Sequence, residues 1–311
     1  MTGKHLITND STIGKFPTTD ISNPHIKAKL CLPDAQNGYY RGTRFDWSGV
    51  IYALDYKNHS YFSEWFEKHN PLIHDAICGP VDEFTQIGYD KVPIGGEFLK
   101  IGIGILRKPE EDKYDRFKLY EILNEGTRSV SIENDFIVFR HILENDPFSY
   151  IYIKTVKLID TTLRLEYTLE NTGFKALSTS VYNHNFFTID QQKTGPYITI
   201  RFSFQPEGKW RDENGPAMIK DYQICYSREL NKGESVFMDP LTGFDPEKKG
   251  YHFTIENSKT GAGVKMTTNH KLLKMIFWAC STTSCPEPYM KLEIGPGERA
   301  KWMNQYEFYE F

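Results

Sequence analysis

The chain reads as all-β, an antiparallel β-sandwich in one domain over 26–311 that follows an N-terminal tail over 1–25. Three observations predict this. Apolar and polar residues alternate in one run after another, the period of a half-buried strand. Turn residues separate the runs at short intervals, as in sandwiches and barrels. Helical periodicity is scarce.

The longest alternation starts at 149–157, SYIYIKTVK, where Ile151, Ile153 and Val156 interleave with polar residues. In 158–173, LIDTTLRLEYTLENTG, Leu163, Leu165, Tyr167 and Leu169 point one way, and Arg164, Glu166 and Thr168 the other. Asp160-Thr161-Thr162 reads as the turn between them, so the two runs form a hairpin. Further strands are expected at 137–143, 197–204, 250–258, 261–269, 274–280 and 290–297. FLKIGIGILRK, 98–108, reads as a strand with small residues and not a phosphate loop, since no GK[ST] follows. The best helical candidate is 58–70, NHSYFSEWFEKHN, with Tyr61, Trp65 and Phe66 on one face. No repeat, linker or low-complexity segment interrupts this order.

Composition narrows the function classes. The 311 residues are 39% hydrophobic, enough for a sizeable core, and 37 basic against 41 acidic residues show no bias toward nucleic acid or a membrane surface. No run of about 18 apolar residues exists to span a bilayer. Cysteines 31, 78, 225, 280 and 285 are odd in number and scattered, which argues for reduced thiols and the cytoplasm. A periplasmic protein whose signal had been removed would present the same polar N-terminus. No cysteine or histidine pairing completes a zinc site. The 14% aromatic content suits strand packing, and equally a sugar site in which rings stack on aromatic faces.

Four stretches carry chemistry. In VYNHNFFTID, 181–190, His184 stands between Asn183 and Asn185. A single strand histidine is more often a paired structural residue. Three consecutive polar residues in an apolar strand nevertheless need polar partners, and sugar hydroxyls are one candidate. In SCPEPYMKLEIGPGE, Pro286 and Pro288 flank Glu287 and suit an extended edge or loop that fixes the carboxylate. An exposed loop glutamate is the plainer alternative. In YYRGTRFDWSGV, 39–50, Phe45 and Trp47 face the core and Arg44 and Asp46 share the other face. That pair is either a surface ion pair of little energy or a guanidinium fork that holds hydroxyls or a carboxylate. CGPVDEFTQIGYD, 78–90, brings Asp82 and Glu83.

In their order along the chain these pieces resemble the aldose 1-epimerase (galactose mutarotase-like) superfamily. YIYIKTVKLIDTTLRLEYTLENTG resembles the strand pair that precedes the family's histidine. VYNHNFFTID resembles its N-H-x-[YF]-F segment, and EPYMKLEIGPGE its glutamate before an L-x-PGE-like turn. The similarity covers about 150–311 in good order and is looser over 30–150. It implies a supersandwich with a sugar in an open groove, His184 as general acid, Glu287 as general base and Arg44 as a sugar contact. Asp46, Glu83 and Asn183 join them as expected substrate contacts. The two catalytic groups are expected on opposite sides of the sugar, with a carboxylate helping to keep His184 charged.

One departure stands out. The family's further histidine, in an H-G-[GF]-like segment, has its best counterpart in EFTQIGYD, which offers Glu83 and no histidine; His74 is nearby in different surroundings. No clear phosphate-binding arginine set is visible. The expected activity is interconversion of sugar anomers by acid/base ring opening, with a small-molecule sugar as partner and no metal or organic cofactor required. Two alternatives stay open. One is a non-catalytic carbohydrate-binding module on the same fold. The other is a different carbohydrate-active enzyme, such as a lyase using Tyr182 and Arg44 or a hydrolase-associated domain. Which sugar binds, and the oligomeric state, are not legible.

Overall fold

The computed structural model describes residues 13–311. Strands β1 (Thr18–Ser22), β2 (Ile26–Cys31), β3 (Val50–Tyr56) and β4 (His59–Phe62) form a four-stranded sheet in that order. β5 (Gly79–Phe84) leaves it for another sheet, and β6 (Glu97–Lys100), β7 (Gly104–Arg107) and β8 (Ile122–Asn124) make a small three-stranded one. β9 (Thr127–Ile132), β10 (Phe136–Leu143), β11 (Tyr150–Ile159) and β12 (Thr162–Asn171) then run as a meander. β13 (Leu177–Phe186) crosses to the sheet of β5. β14 (Ile198–Phe202), β15 (Ala217–Lys220) and β16 (Gln223–Tyr226) return to the sheet of the meander. The remaining strands are β17 (Ser235–Leu241), β18 (His252–Asn257), β19 (Ala262–Thr268), β20 (Lys274–Cys280), β21 (Thr283–Ile294) and β22 (Arg299–Glu310).

Two large sheets result. A ten-stranded sheet has the order β15-β16-β14-β18-β19-β22-β12-β11-β10-β9, and a five-stranded one the order β17-β20-β21-β13-β5. Every ladder between named strands is antiparallel. The expected hairpin is β11–β12, with Asp160 at φ 47° in its turn. Alternation then builds the core: Leu163, Leu165 and Leu169 of the large sheet share one apolar cluster with Val181, Phe277 and Leu292 of the small one. The opposite face of the five-stranded sheet carries Tyr182, Phe186, Ile276 and Tyr289, which cluster with Phe45 and Trp47. That second face holds the groove.

Four expectations change. Residues 1–12 of the expected tail lie outside the described residues, whereas Thr18–Ser22 is β1, paired antiparallel with β2 from Thr18↔Cys31 to Ser22↔Lys27. The expected helix at 58–70 is β4 followed by turns. Tyr61 and Phe62 are buried as adjacent strand residues, and Trp65 turns away to stack on Phe186 at 4.9 Å. The stretch 98–108 is a hairpin, β6–β7, not one strand. Gly102 sits in its turn at φ 81°, where a Cβ would come within 2.7 Å of the Asp46 side chain, so only glycine fits. Finally, Glu287 with its two prolines lies in β21, a central strand rather than an edge or loop.

Candidate functional site

The prolines explain the site's geometry. The β13–β21 ladder runs from Leu177↔Ile294 to Tyr182↔Tyr289, lapses, and resumes only at the bridge Phe187↔Ser284, in the same register. Pro286 and Pro288 lie in the lapse, where their missing N–H groups remove ladder donors. The side chain of Asn185 reaches across, its Nδ2 donating to the Pro286 carbonyl at 2.9 Å. On the outer face of this gap, His184 and Glu287 stand opposite each other, His184 Nε2 to Glu287 Oε1 at 3.2 Å. Both are almost fully buried at the bottom of a groove of about 1180 Å³. Phe186 stacks on the imidazole at 3.8 Å, and Phe45 and Trp278 meet it edge-on.

Burial sets the protonation of this pair. It pushes the His184 imidazole well below its usual value, with Arg44 acting in the same direction. It pushes the Glu287 carboxyl up to about 8 against the opposing pull of Arg44 and Arg116. Near neutrality the pair therefore holds one proton, on Glu287, beside a neutral imidazole. The expectation of a charged histidine is corrected here: in so dry a place desolvation outweighs the carboxylate's attraction. The ion-pair form, Glu287 carboxylate and His184 imidazolium, carries the same number of protons and is one proton transfer away. His184 Nδ1 is buried without a hydrogen-bond partner. The two groups also stand side by side on one floor, not on opposite walls.

On the β5 side lies a charge cluster. Glu83 Oε2 accepts from Arg44 Nε at 2.9 Å and from the Tyr182 hydroxyl at 2.6 Å; Arg44 Nη2 donates in turn to the Tyr182 oxygen at 3.0 Å. Lys100 Nζ, fully buried, approaches Glu83 Oε1 at 3.3 Å, and Arg116 Nε approaches it at 3.6 Å. Burial alone would raise the Glu83 carboxyl, but Lys100, Arg44 and Arg116 together hold it well below the usual carboxylate range. Glu83 is thus a counter-ion that fixes two groove-lining arginines from behind. Tyr182, the base that a lyase reading would use, is committed to this cluster and buried.

The structure brings His184, Glu287, Arg44 and Glu83 together and separates Asp46 and Asn183 from them. Asp46 is buried beneath the groove and does not pair with Arg44. Its carboxylate accepts from the Ser48 N–H at 2.9 Å and the Tyr152 hydroxyl at 3.1 Å. Asn183 and Asn185 point to the inner face, because a strand alternates. Asn183 Nδ2 donates to Asp82 at 2.9 Å, and the Tyr306 hydroxyl stands between the two asparagine side-chain oxygens. Protein groups thus meet two of the three polar residues, and only His184 reaches the groove. Lys154 completes this inner layer, donating to Asp82 at 2.7 Å and to the Ser48 carbonyl at 2.9 Å.

Sequence reading missed Arg116, Trp65, Trp278, Lys274 and Arg211, which line the groove. They come from distant loops and strands and carry no local motif. For Trp278, period two in β20 was a usable signal, since Ile276 and Trp278 share the groove face. His74 also lines the groove, its ring 4.9 Å from Phe117. Among the described residues no group of three histidine, cysteine or carboxylate side chains is placed to hold a metal ion. Nor is any helix among the described residues long and apolar enough to cross a membrane.

An antiparallel sandwich of this arrangement is shared by solved structures. The chain is similar to a putative aldose 1-epimerase from Escherichia coli K12, at 13% identity over 95% of this chain and 100% of that one, TM-score 0.54. It is similar to a galactose mutarotase related enzyme from Lactobacillus acidophilus, at 14% identity over 94% and 97%, TM-score 0.56. A GalM/aldose epimerase homologue from C. elegans aligns at 12% identity over 95% and 99%, TM-score 0.54. No family model and no curated protein matches the sequence. The chain therefore has the galactose mutarotase-like fold; at such identities the likeness speaks to fold alone.

Proposed function

We propose that this chain is an aldose 1-epimerase-like isomerase that interconverts the α and β anomers of a sugar. The observation that carries the reading is the His184–Glu287 contact of 3.2 Å at the foot of an aromatic-lined groove. The hydroxyl and ring oxygens of a hemiacetal are bonded to the same carbon, so neighbouring acid and base atoms can serve both at once. In the ion-pair form, Glu287 accepts the proton of the anomeric hydroxyl while His184 donates one to the ring oxygen. The bond from C1 to the ring oxygen breaks and C1 becomes the aldehyde carbon. Rotation about C1–C2 and closure with the proton transfers reversed give the other anomer. Opening leaves Glu287 protonated and His184 neutral, the form that burial already favours, and closure restores the ion pair. Arg44, anchored by Glu83, supports binding at the ring's substituents.

Polarimetry on freshly dissolved α-anomers of a panel of aldoses tests this. Wild type accelerates equilibration, and His184→Ala and Glu287→Gln each lower the rate about 10²–10⁴-fold, the usual size of an acid/base contribution. A panel on which wild type gives no acceleration over buffer would overturn the reading, and so would a His184→Ala protein with wild-type turnover.

A further inference from the structure

The cluster around Glu83 is unbalanced. One carboxylate meets three cations, Arg44, Lys100 and Arg116, at 2.9, 3.3 and 3.6 Å. Lys100 is fully buried and Arg44 nearly so. Buried charge is costly unless it is matched, and a neutral sugar does not need it: hydroxyls are bound well enough by amides, hydroxyls and paired ions. Glu287, on the same floor, shares one proton with His184, so that pair is net neutral in either form, and the other acidic residues nearest the groove are engaged elsewhere. Glu111 accepts from Lys118, Tyr89 and Tyr120. Asp115 accepts from the Phe117 N–H, and Asp75 lies beside His74. Asp239 faces Lys274 on the far side.

The excess has a definite position. Glu83 is on β5, the strand next to β13 and His184, and it pairs across with Tyr182. Neighbouring strands are about 4.8 Å apart. Glu83 thus lies one strand across and two residues along from His184, a diagonal of about 8 Å, which a sugar ring bridges when it meets the acid/base pair at one end and Arg44 and Arg116 at the other. A guanidinium presents a planar fork that matches a carboxylate. Both arginines line the groove, and Arg44 is stiffened by stacking of its guanidinium on Phe45 at 4.5 Å and Phe117 at 5.2 Å.

Resting on the isomerase reading above, we propose that the substrate of this site is a sugar acid, an aldose whose ring bears a carboxylate, as in a hexuronate, and that Arg44 and Arg116 receive that carboxylate. Arg116 is the residue to vary, because it is partly exposed and its loss spares the buried cluster.

The experiment is calorimetric titration of the full chain with glucuronate, galacturonate, glucose, galactose and glucose 6-phosphate, repeated with Arg116→Ala and at raised salt, with anomer exchange followed in parallel by NMR. The proposal expects a hexuronate to bind at least about 10-fold more tightly than its parent aldose, and Arg116→Ala to lower hexuronate affinity by about 10–100-fold, the worth of a charge-assisted contact. The uronate-to-aldose ratio falls toward one in that variant, and wild-type preference weakens with salt. Equal affinity for uronates and neutral aldoses, or a ratio that Arg116→Ala leaves intact, overturns it. Tighter binding of glucose 6-phosphate than of either uronate overturns it in favour of a phosphate ester. Failure of the isomerase reading looks different: the uronate binds with the arginine dependence above, yet its anomers exchange no faster than in buffer.

Discussion

Glu83→Gln is the most informative single change away from His184 and Glu287. The amide keeps the shape of the side chain and removes the charge. Arg116 can then turn to water, since its side chain is 39% exposed, and contributes little to the cost. Lys100 is fully buried but can shed its proton: burial brings it down to about 8 even with Glu83 pulling it up, so once that charge is gone its neutralisation near pH 7 costs little. Arg44 has no such escape, because a guanidinium stays charged. Stranding it should bring the total to about 3–5 kcal/mol, the usual result of removing one partner from a buried ion pair. In thermal unfolding this is a fall in Tm of about 5–8 °C for a chain of this size. Because the Glu83 carboxyl is held below its ordinary range, its contribution is present above that range and lost as pH falls. The wild-type stability curve should therefore drop on acidification, and that of Glu83→Gln should be flatter. A double variant, Glu83→Gln with Lys100→Met, should recover part of the loss. A destabilisation under about 1 kcal/mol at pH 7 would refute the account of Glu83 as the counter-ion of a buried cluster.

Two further outcomes follow from buried polar groups. Glu287 is raised to about 8, so its contribution to stability is complete below the ordinary glutamate range and is lost as pH rises toward 8. Urea unfolding of Glu287→Gln should therefore show a gain over wild type of about 1.4 kcal/mol per pH unit between roughly pH 5 and 8, then a plateau; a pH-independent difference would show that the carboxyl is not raised. Tyr306→Phe leaves the side-chain oxygens of Asn183 and Asn185 without their shared hydroxyl. It should cost about 1–3 kcal/mol in the same assay, and a neutral result would mean that those oxygens find other partners.

The sequence by itself determined the all-β class, the β11–β12 hairpin and most strands of the two large sheets. Period-two alternation is a local signal, and a strand with one face on the core must display it. His184, Glu287, Arg44 and Glu83 were also legible, because each lies in a segment whose neighbours limit it: an asparagine pair, two prolines, an aromatic turn and an acidic pair. Which face each polar residue takes was decided only by the tertiary structure. Asn183 and Asn185 turned inward because Tyr306 and Asp82, from distant strands, meet them there. Asp46 went beneath the groove because Tyr152 and Gly102 receive it, leaving Arg44 to pair with Glu83 instead. The helix expected at 58–70 gave way because its aromatics find better partners in strand β4 and against Phe186. The protonation of His184 and Glu287, and the cation excess around Glu83, depend on burial and on contacts between residues far apart in the chain. Neither has a local pattern, so both had to wait for the fold.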